Sequence, residues 1–156
     1  MNDSAKLDLD NYLPYLVNRV GTIIADQWGG EQLAPYRLSI AMWRVMAVLA
    51  SKGSQRQIDL ADLTSIDAST LSRIVTRLVR MGLLARTRST SSNREVAVTL
   101  SAKGKTLVAR LIPLAHEIEA DAAAGLSPGE LAVVKRCLRR IYSNMKSRPA
   151  AAGRSR

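Results

Sequence analysis

The stretch from Asp67 to Gly82 constrains this chain more than any other. Asp67 can cap the free amide groups of Ser69 or Thr70, while Leu71, Ile74, Val75 and Leu78 fall on one helical face. Gly82 then supplies a left-handed stop. The opposite face presents Ser69, Thr70, Ser72, Arg73, Thr76, Arg77 and Arg80. Such a helix packs its apolar stripe on a core and turns hydroxyls and guanidiniums toward something polar and anionic.

The flanking segments fit around it. A helix opening at Ser39 and running through Trp43, Met46, Ala47 and Ala50 to Gly53 carries apolar residues on more than one face, which marks it as central and buried. Gln57 to Thr64 reads as a shorter helix, with Ser65-Ile66-Asp67 as a tight turn. After Gly82, Leu83 to Arg88 and Glu95 to Leu100 read as two strands of a hairpin, the second placing Val96, Val98 and Leu100 on one face. The polar stretch between them puts Arg94 at the tip. Helix, turn, basic helix and hairpin in that order make a winged helix-turn-helix, over about residues 38–100.

The ends of the chain carry long helices. Leu9, Tyr12, Leu13, Leu16, Val17, Val20, Ile24 and Trp28 form one apolar stripe, with Asn11 as a candidate cap, Pro14 in the first turn and Gly29-Gly30 as the expected stop. Ser101 can cap a helix through Leu107, Leu111, Leu114 and Ile118, with a bend expected at Pro113 and an end at Gly125. Ser127-Pro128-Gly129-Glu130 combines a capping box with a proline in the first turn, followed by the apolar face Leu131, Val134, Leu138, Ile141, Tyr142 and Met145. The fold class expected is therefore mainly α with a small β wing, in a single domain over residues 1–148. Residues 149–156 form a basic tail without core-forming residues, expected to be disordered.

Charge and residue counts narrow the function. A formal net charge of +10 suits a polyanionic partner, and its placement says more than its size. From Asp67 through Arg110 nine basic residues face only two acidic ones. One cysteine, Cys137, excludes an internal disulfide, and one histidine, His116, leaves no His cluster for a metal. No cofactor is expected. Cys137 shares a helix face with Val134 and Ile141 and is expected to be a buried, inert thiol. No apolar run is long enough to span a bilayer, and the amino end lacks the basic start of a signal peptide, so a cytoplasmic location is expected. No phosphate loop, nucleophile elbow or Cys/His pair points to an enzyme.

In a helix-turn-helix the N-terminal residues of the second helix lie at base edges in the major groove, here Ser69, Thr70 and Arg73. Arginine can pair bidentately with guanine O6 and N7, which makes Arg73 the first candidate for base readout. Arg77 and Arg80 lie further along, where the helix leaves the groove and meets phosphate. Arg94 could enter the minor groove and read its shape. Each arginine alone is also consistent with a solvated helix face; the turn and the wing are what favour the DNA reading.

The run Trp43-Arg44-Val45-Met46, then Asp59-Leu60-Ala61, then Asp67 to Leu78 with Met81-Gly82-Leu83-Leu84, and Asn93-Arg94 ahead of Ser101-Ala102-Lys103-Gly104, resembles the MarR family of bacterial regulators. The resemblance spans about residues 9–146. It implies a homodimer held by the first and last two helices, about residues 9–29, 101–125 and 127–147, on a pseudo-palindromic double-stranded operator. It also implies a repressor released by a small anionic aromatic ligand, an aromatic acid or its coenzyme A thioester. Tyr12, Tyr15, Arg19, Tyr36, Arg37, Trp43 and Arg44 are the residues that would line such a cleft, with core packing or surface charge as the alternative for each. Where the family usually has Asp, two residues before the wing arginine, this chain has Ser92, which implies a looser wing. The reactive cysteine that some branches carry in their first helix is absent here. A nonspecific or architectural DNA-binding protein without ligand control is the alternative that charge and wing alone would allow.

Overall fold

The computed structural model describes residues 6–88 and 96–147. The chain divides into two compact units, Met1–Ile118 and Glu119–Arg156. Arg94, Ser92 and the tail from Pro149 lie outside the described residues.

In the first unit a 3-10 turn, Leu9–Asn11, precedes helix α1, Leu13–Gln27. Asn11 does not cap it. Its Nδ2 donates back to Asp8 Oδ2 at 2.6 Å, and Tyr12 occupies the cap position without a side-chain bond. Nor do Gly29-Gly30 stop the helix. The backbone widens there into a π turn, Trp28–Leu33, and tightens into a 3-10 turn, Ala34–Tyr36, before Arg37 ends the run at φ 55°. Trp28 and Leu33 are buried, at 5% and 0% exposure, so core packing carries the helical path past two glycines that local preference would use as a terminator.

Helix α2, Ile40–Lys52, begins where Ser39 Oγ accepts the Met42 N–H at 3.2 Å and ends at Gly53 with φ 75°. It is the central helix expected: Met42, Val45, Met46 and Leu49 are buried. A two-residue strand, β1 (Gln55–Arg56), leads into α3 (Gln57–Thr64), and Ser65 makes the turn in the left-handed region at φ 54°. The basic helix α4 spans Ala68–Arg80, followed by Met81 and by Gly82 at φ 71°. Strands β2 (Leu84–Arg88) and β3 (Val96–Leu100) form the expected antiparallel hairpin, with Arg86 opposite Val98 and Leu84 opposite Leu100. The short β1 pairs with the far edge of β3, giving a three-stranded antiparallel sheet of order β1-β3-β2. The structure is thus mainly α with a small β wing.

One core joins these elements. It combines Trp28, Leu33 and Leu38 with α2, with Leu60 of α3, with Leu71, Val75 and Leu78 of α4, and with Leu83, Leu84, Val98 and Leu100 around the hairpin. Val108 and Leu111 of α5 (Ala102–Ala122) complete it. Ser101 caps α5, accepting the Gly104 N–H at 2.9 Å, and its own hydroxyl donates to Gly82 O at 2.6 Å. By contrast, the apolar stripe of α1 stands open: Leu16, Val17, Val20 and Ile23 are 40% to 56% exposed.

In the second unit, α6 (Pro128–Lys146) starts from a complete capping box between Ser127 and Glu130. Lys135 pairs with Glu119. Its apolar residues Val134, Leu138, Tyr142 and Met145 are exposed, and so is Cys137. The expectation of a buried thiol therefore fails for the single chain: on the face that Cys137 shares, Val134 and Leu138 are exposed and Ile141 is only half-buried. No single helix among the described residues is long and apolar enough to cross a membrane.

Candidate nucleic-acid interface

The outward face of α4 is the candidate site, and its sequence fixes it from both ends. At the start, Asp67 Oδ1 accepts the Thr70 N–H at 2.9 Å and the Ser69 hydroxyl at 2.7 Å. The Thr70 backbone bond first, and then the Thr70 and Ser69 side chains, hold the Asp67 carboxyl well below the usual carboxylate range. The cap is therefore charged at neutral pH. Along the inner side Leu71, Val75 and Leu78 are fully buried, so the helix cannot roll about its axis without exposing them.

That anchoring leaves Ser69, Arg73, Arg77 and Arg80 exposed and Thr70, Ser72 and Thr76 half-buried. None of the three guanidiniums is paired with a carboxylate among the described residues. Three cations about one helical turn apart, with hydroxyls between them, match a polyanion better than a small ligand. The Ser69 hydroxyl donates its hydrogen bond to Asp67, so toward a base it offers lone pairs and would accept from an exocyclic amine. Arg94, the expected wing-tip contact, falls outside the described residues.

Two contacts that periodicity could not reveal brace this face. Arg86 of β2 donates from Nη2 to Thr76 Oγ1 at 2.9 Å, linking the hairpin to the outer side of α4. Lys103 Nζ of α5 donates to Met81 O at 3.0 Å, at the C-terminal end of α4. Both were visible in the sequence only as members of the mid-chain basic run. Arg56, on β1, pairs with Asp59 and steadies the start of α3; no pattern in the sequence singled it out.

The residues expected to line a ligand cleft are spread over α1, the 3-10 turn and α2. Arg19 lies over the Tyr15 ring, with Cζ 5.6 Å from the centroid. An open groove along α1 is lined by Leu16, Arg19, Val20, Ile23 and Asp26 among others, and Arg19 is the one member of the expected set in it. Tyr12 is exposed, Tyr36 packs against the core, and Arg37 sits at the left-handed end of its turn. Trp43 meets Trp28 edge to face at 5.4 Å. Arg44 reaches across to α3, where Nη1 donates to Thr64 O at 3.2 Å, so its guanidinium already holds a helix end.

Comparison with known proteins returns one theme. Residues 38–96 match the model of the MarR family. An HTH-type transcriptional repressor of Mycobacterium tuberculosis is 26% identical over 135 residues, covering 86% of this chain and 96% of that one. The crystal structure of a MarR family transcriptional regulator from Silicibacter pomeroyi superposes with a TM-score of 0.81 at 30% identity, covering 91% of this chain and 95% of that one. BpsR of Bordetella bronchiseptica, whose DNA binding is regulated by 6-hydroxynicotinic acid, aligns with a TM-score of 0.73 at 26% identity over 83% of this chain and 97% of its own.

Proposed function

Because this chain belongs to the MarR family of transcriptional regulators, we propose that it is a homodimeric, sequence-specific repressor released from its operator by a small anionic aromatic ligand. The observation that carries the DNA-reading part is the outer face of α4, where Arg73, Arg77 and Arg80 stand exposed on a helix locked by its cap and its buried stripe. Ser69, Thr70 and Arg73 read base edges. Ser72, Thr76, Arg77 and Arg80 serve the backbone, and Arg94 enters the minor groove.

The dimer rests on the open apolar stripes of α1 and α6, which a second copy would remove from water. In that arrangement residues 1–148 act as one domain, with α1, α5 and α6 as the dimerisation region. Twofold symmetry would set the recognition helices about one DNA turn apart, roughly 34 to 36 Å, on a pseudo-palindromic operator. Such a regulator works in the cytoplasm, where its DNA is.

For the effector, the regulation of BpsR by 6-hydroxynicotinic acid favours an aromatic acid or its coenzyme A thioester. Tyr12, Tyr15, Arg19, Tyr36, Arg37, Trp43 and Arg44 are the proposed lining. Arg19 leads them, because its guanidinium lines an open groove beside the Tyr15 ring, where an aromatic anion could stack and pair.

Footprinting on the chain's own promoter DNA with a random-duplex competitor tests the first part. Protection of one palindromic site supports the repressor, and equal competition by random duplex supports a nonspecific binder instead. Screening aromatic acids and their thioesters for release of the protein from that site tests the second.

A further inference from the structure

Thr76 differs from two other helical threonines, Thr64 and Thr106. Thr64 and Thr106 donate their hydroxyls back to the carbonyls of Leu60 and Ala102, four residues earlier. Thr76 makes no such bond among the described residues; its oxygen instead accepts from Arg86 Nη2 at 2.9 Å. A threonine hydroxyl has one proton and two lone pairs. With a lone pair committed to the guanidinium, the proton turns away from Arg86, and the bond to a cation polarises the O–H into a stronger donor.

The position suits a donor. Thr76 lies on the outward face of α4, three residues after Arg73, beside Arg77 and one turn before Arg80. Arg86 approaches from the middle of β2, where its rung is fixed opposite the fully buried Val98. Thr76 and Arg86 are therefore set by two separately anchored elements.

Building on the DNA-binding reading of α4, we propose that Arg86 is a positioning residue: it holds the Thr76 hydroxyl outward as a donor to a DNA phosphate and ties the base of the wing to the recognition helix. On this assignment Arg86 acts through Thr76 and makes no phosphate contact of its own. The two residues then form one unit, and removing either removes the same contact.

A double-mutant cycle on the full chain tests this, using as probe the duplex that the wild type selects from a random pool. Arg86→Met and Thr76→Val are each expected to weaken binding about tenfold, and the double variant to bind no worse than either single one. Thr76→Ser, which keeps the hydroxyl, is expected to stay within about threefold of the wild type. The salt dependence of binding should be unchanged in Arg86→Met, because no phosphate loses its cation. Losses that multiply to about a hundredfold, or a salt slope lowered by about one, overturn the assignment and make Arg86 an independent phosphate contact. A Thr76→Ser loss as large as that of Thr76→Val overturns it as well, and needs no arginine variant to fold. If the wild type selects no duplex at all, the sequence-specific reading falls; additive losses on a selected duplex remove only the role given to Arg86.

Discussion

Gly104, three residues into α5, lies so close to Leu83 that a Cβ there would overlap the Leu83 carbonyl oxygen, the same oxygen that accepts the Ser101 N–H at 3.0 Å. Replacing a helical glycine by alanine ordinarily stabilises by about 0.5 to 1 kcal/mol. Here the sign should reverse. The methyl group meets backbone that is held in place by Leu83 and Leu84 in the core, so Gly104→Ala is expected to cost about 3 kcal/mol, near the upper end for overpacking. A lower Tm in thermal unfolding followed by circular dichroism is the expected result; an unchanged or higher Tm would show that α5 can shift away from the hairpin.

The charged cap at Asp67 makes the recognition helix sensitive to acid. Its hydrogen bonds lower the folded pKa, so the stability it contributes is present above the unfolded carboxylate pKa and is lost as the pH falls below about 4. Asp59, lowered by its Arg56 hydrogen bond, and Glu130, lowered by its Ser127 backbone bond, act in the same direction. Asp67→Asn keeps an oxygen for the Thr70 N–H but cannot titrate. Its Tm is expected to fall less than that of the wild type between neutral pH and about pH 3. Parallel Tm profiles for the two proteins would remove Asp67 from the acid response.

The division of labour along α4 predicts two kinds of arginine variant. Arg73→Ala should weaken discrimination at one base-pair position by about 1 to 3 kcal/mol, seen as a relaxed preference in a selection experiment. Arg77→Ala and Arg80→Ala should weaken binding to all sequences alike, each lowering the salt slope by about one. Relaxed base preference in Arg77→Ala, with none in Arg73→Ala, would reverse the assignment.

What could be read from the sequence was what local chemistry decides. Ser39, Asp67 and Ser127 each sit before a run with helical spacing, Gly53 and Gly82 each end one, and all five act as their residue types dictate. What was hidden depends on partners distant in the chain. Gly29-Gly30 reads as a stop by local preference, yet burial of Trp28 and Leu33 keeps the backbone helical. Gln55–Arg56 has no periodicity of its own and is a strand only because β3 is beside it. The Arg86 to Thr76 bond spans ten residues and requires the hairpin register, which no helical or strand pattern encodes. Cys137 failed for a related reason: its neighbours Val134 and Ile141 gave the correct face, but an apolar face does not say what covers it.

Cys137 can report on that cover. In the single chain the thiol is exposed, one turn from Val134 and Ile141 and next to Leu138, which is itself 45% exposed. If self-association covers this stripe, the thiol should react slowly with a thiol reagent at protein concentrations where the dimer prevails and faster on dilution. Leu138→Arg places a charge in the stripe, where a buried and unpaired cation is costly, and should shift the protein toward monomer in sedimentation velocity. Its thiol should then react fast at every concentration. The single chain leaves Leu138 exposed, so this substitution does not disturb a core and the monomer should keep its helical circular dichroism. A wild type that sediments as a monomer, with a thiol equally reactive at all concentrations, would leave the proposed dimer without support and the two apolar stripes without a partner of their own kind.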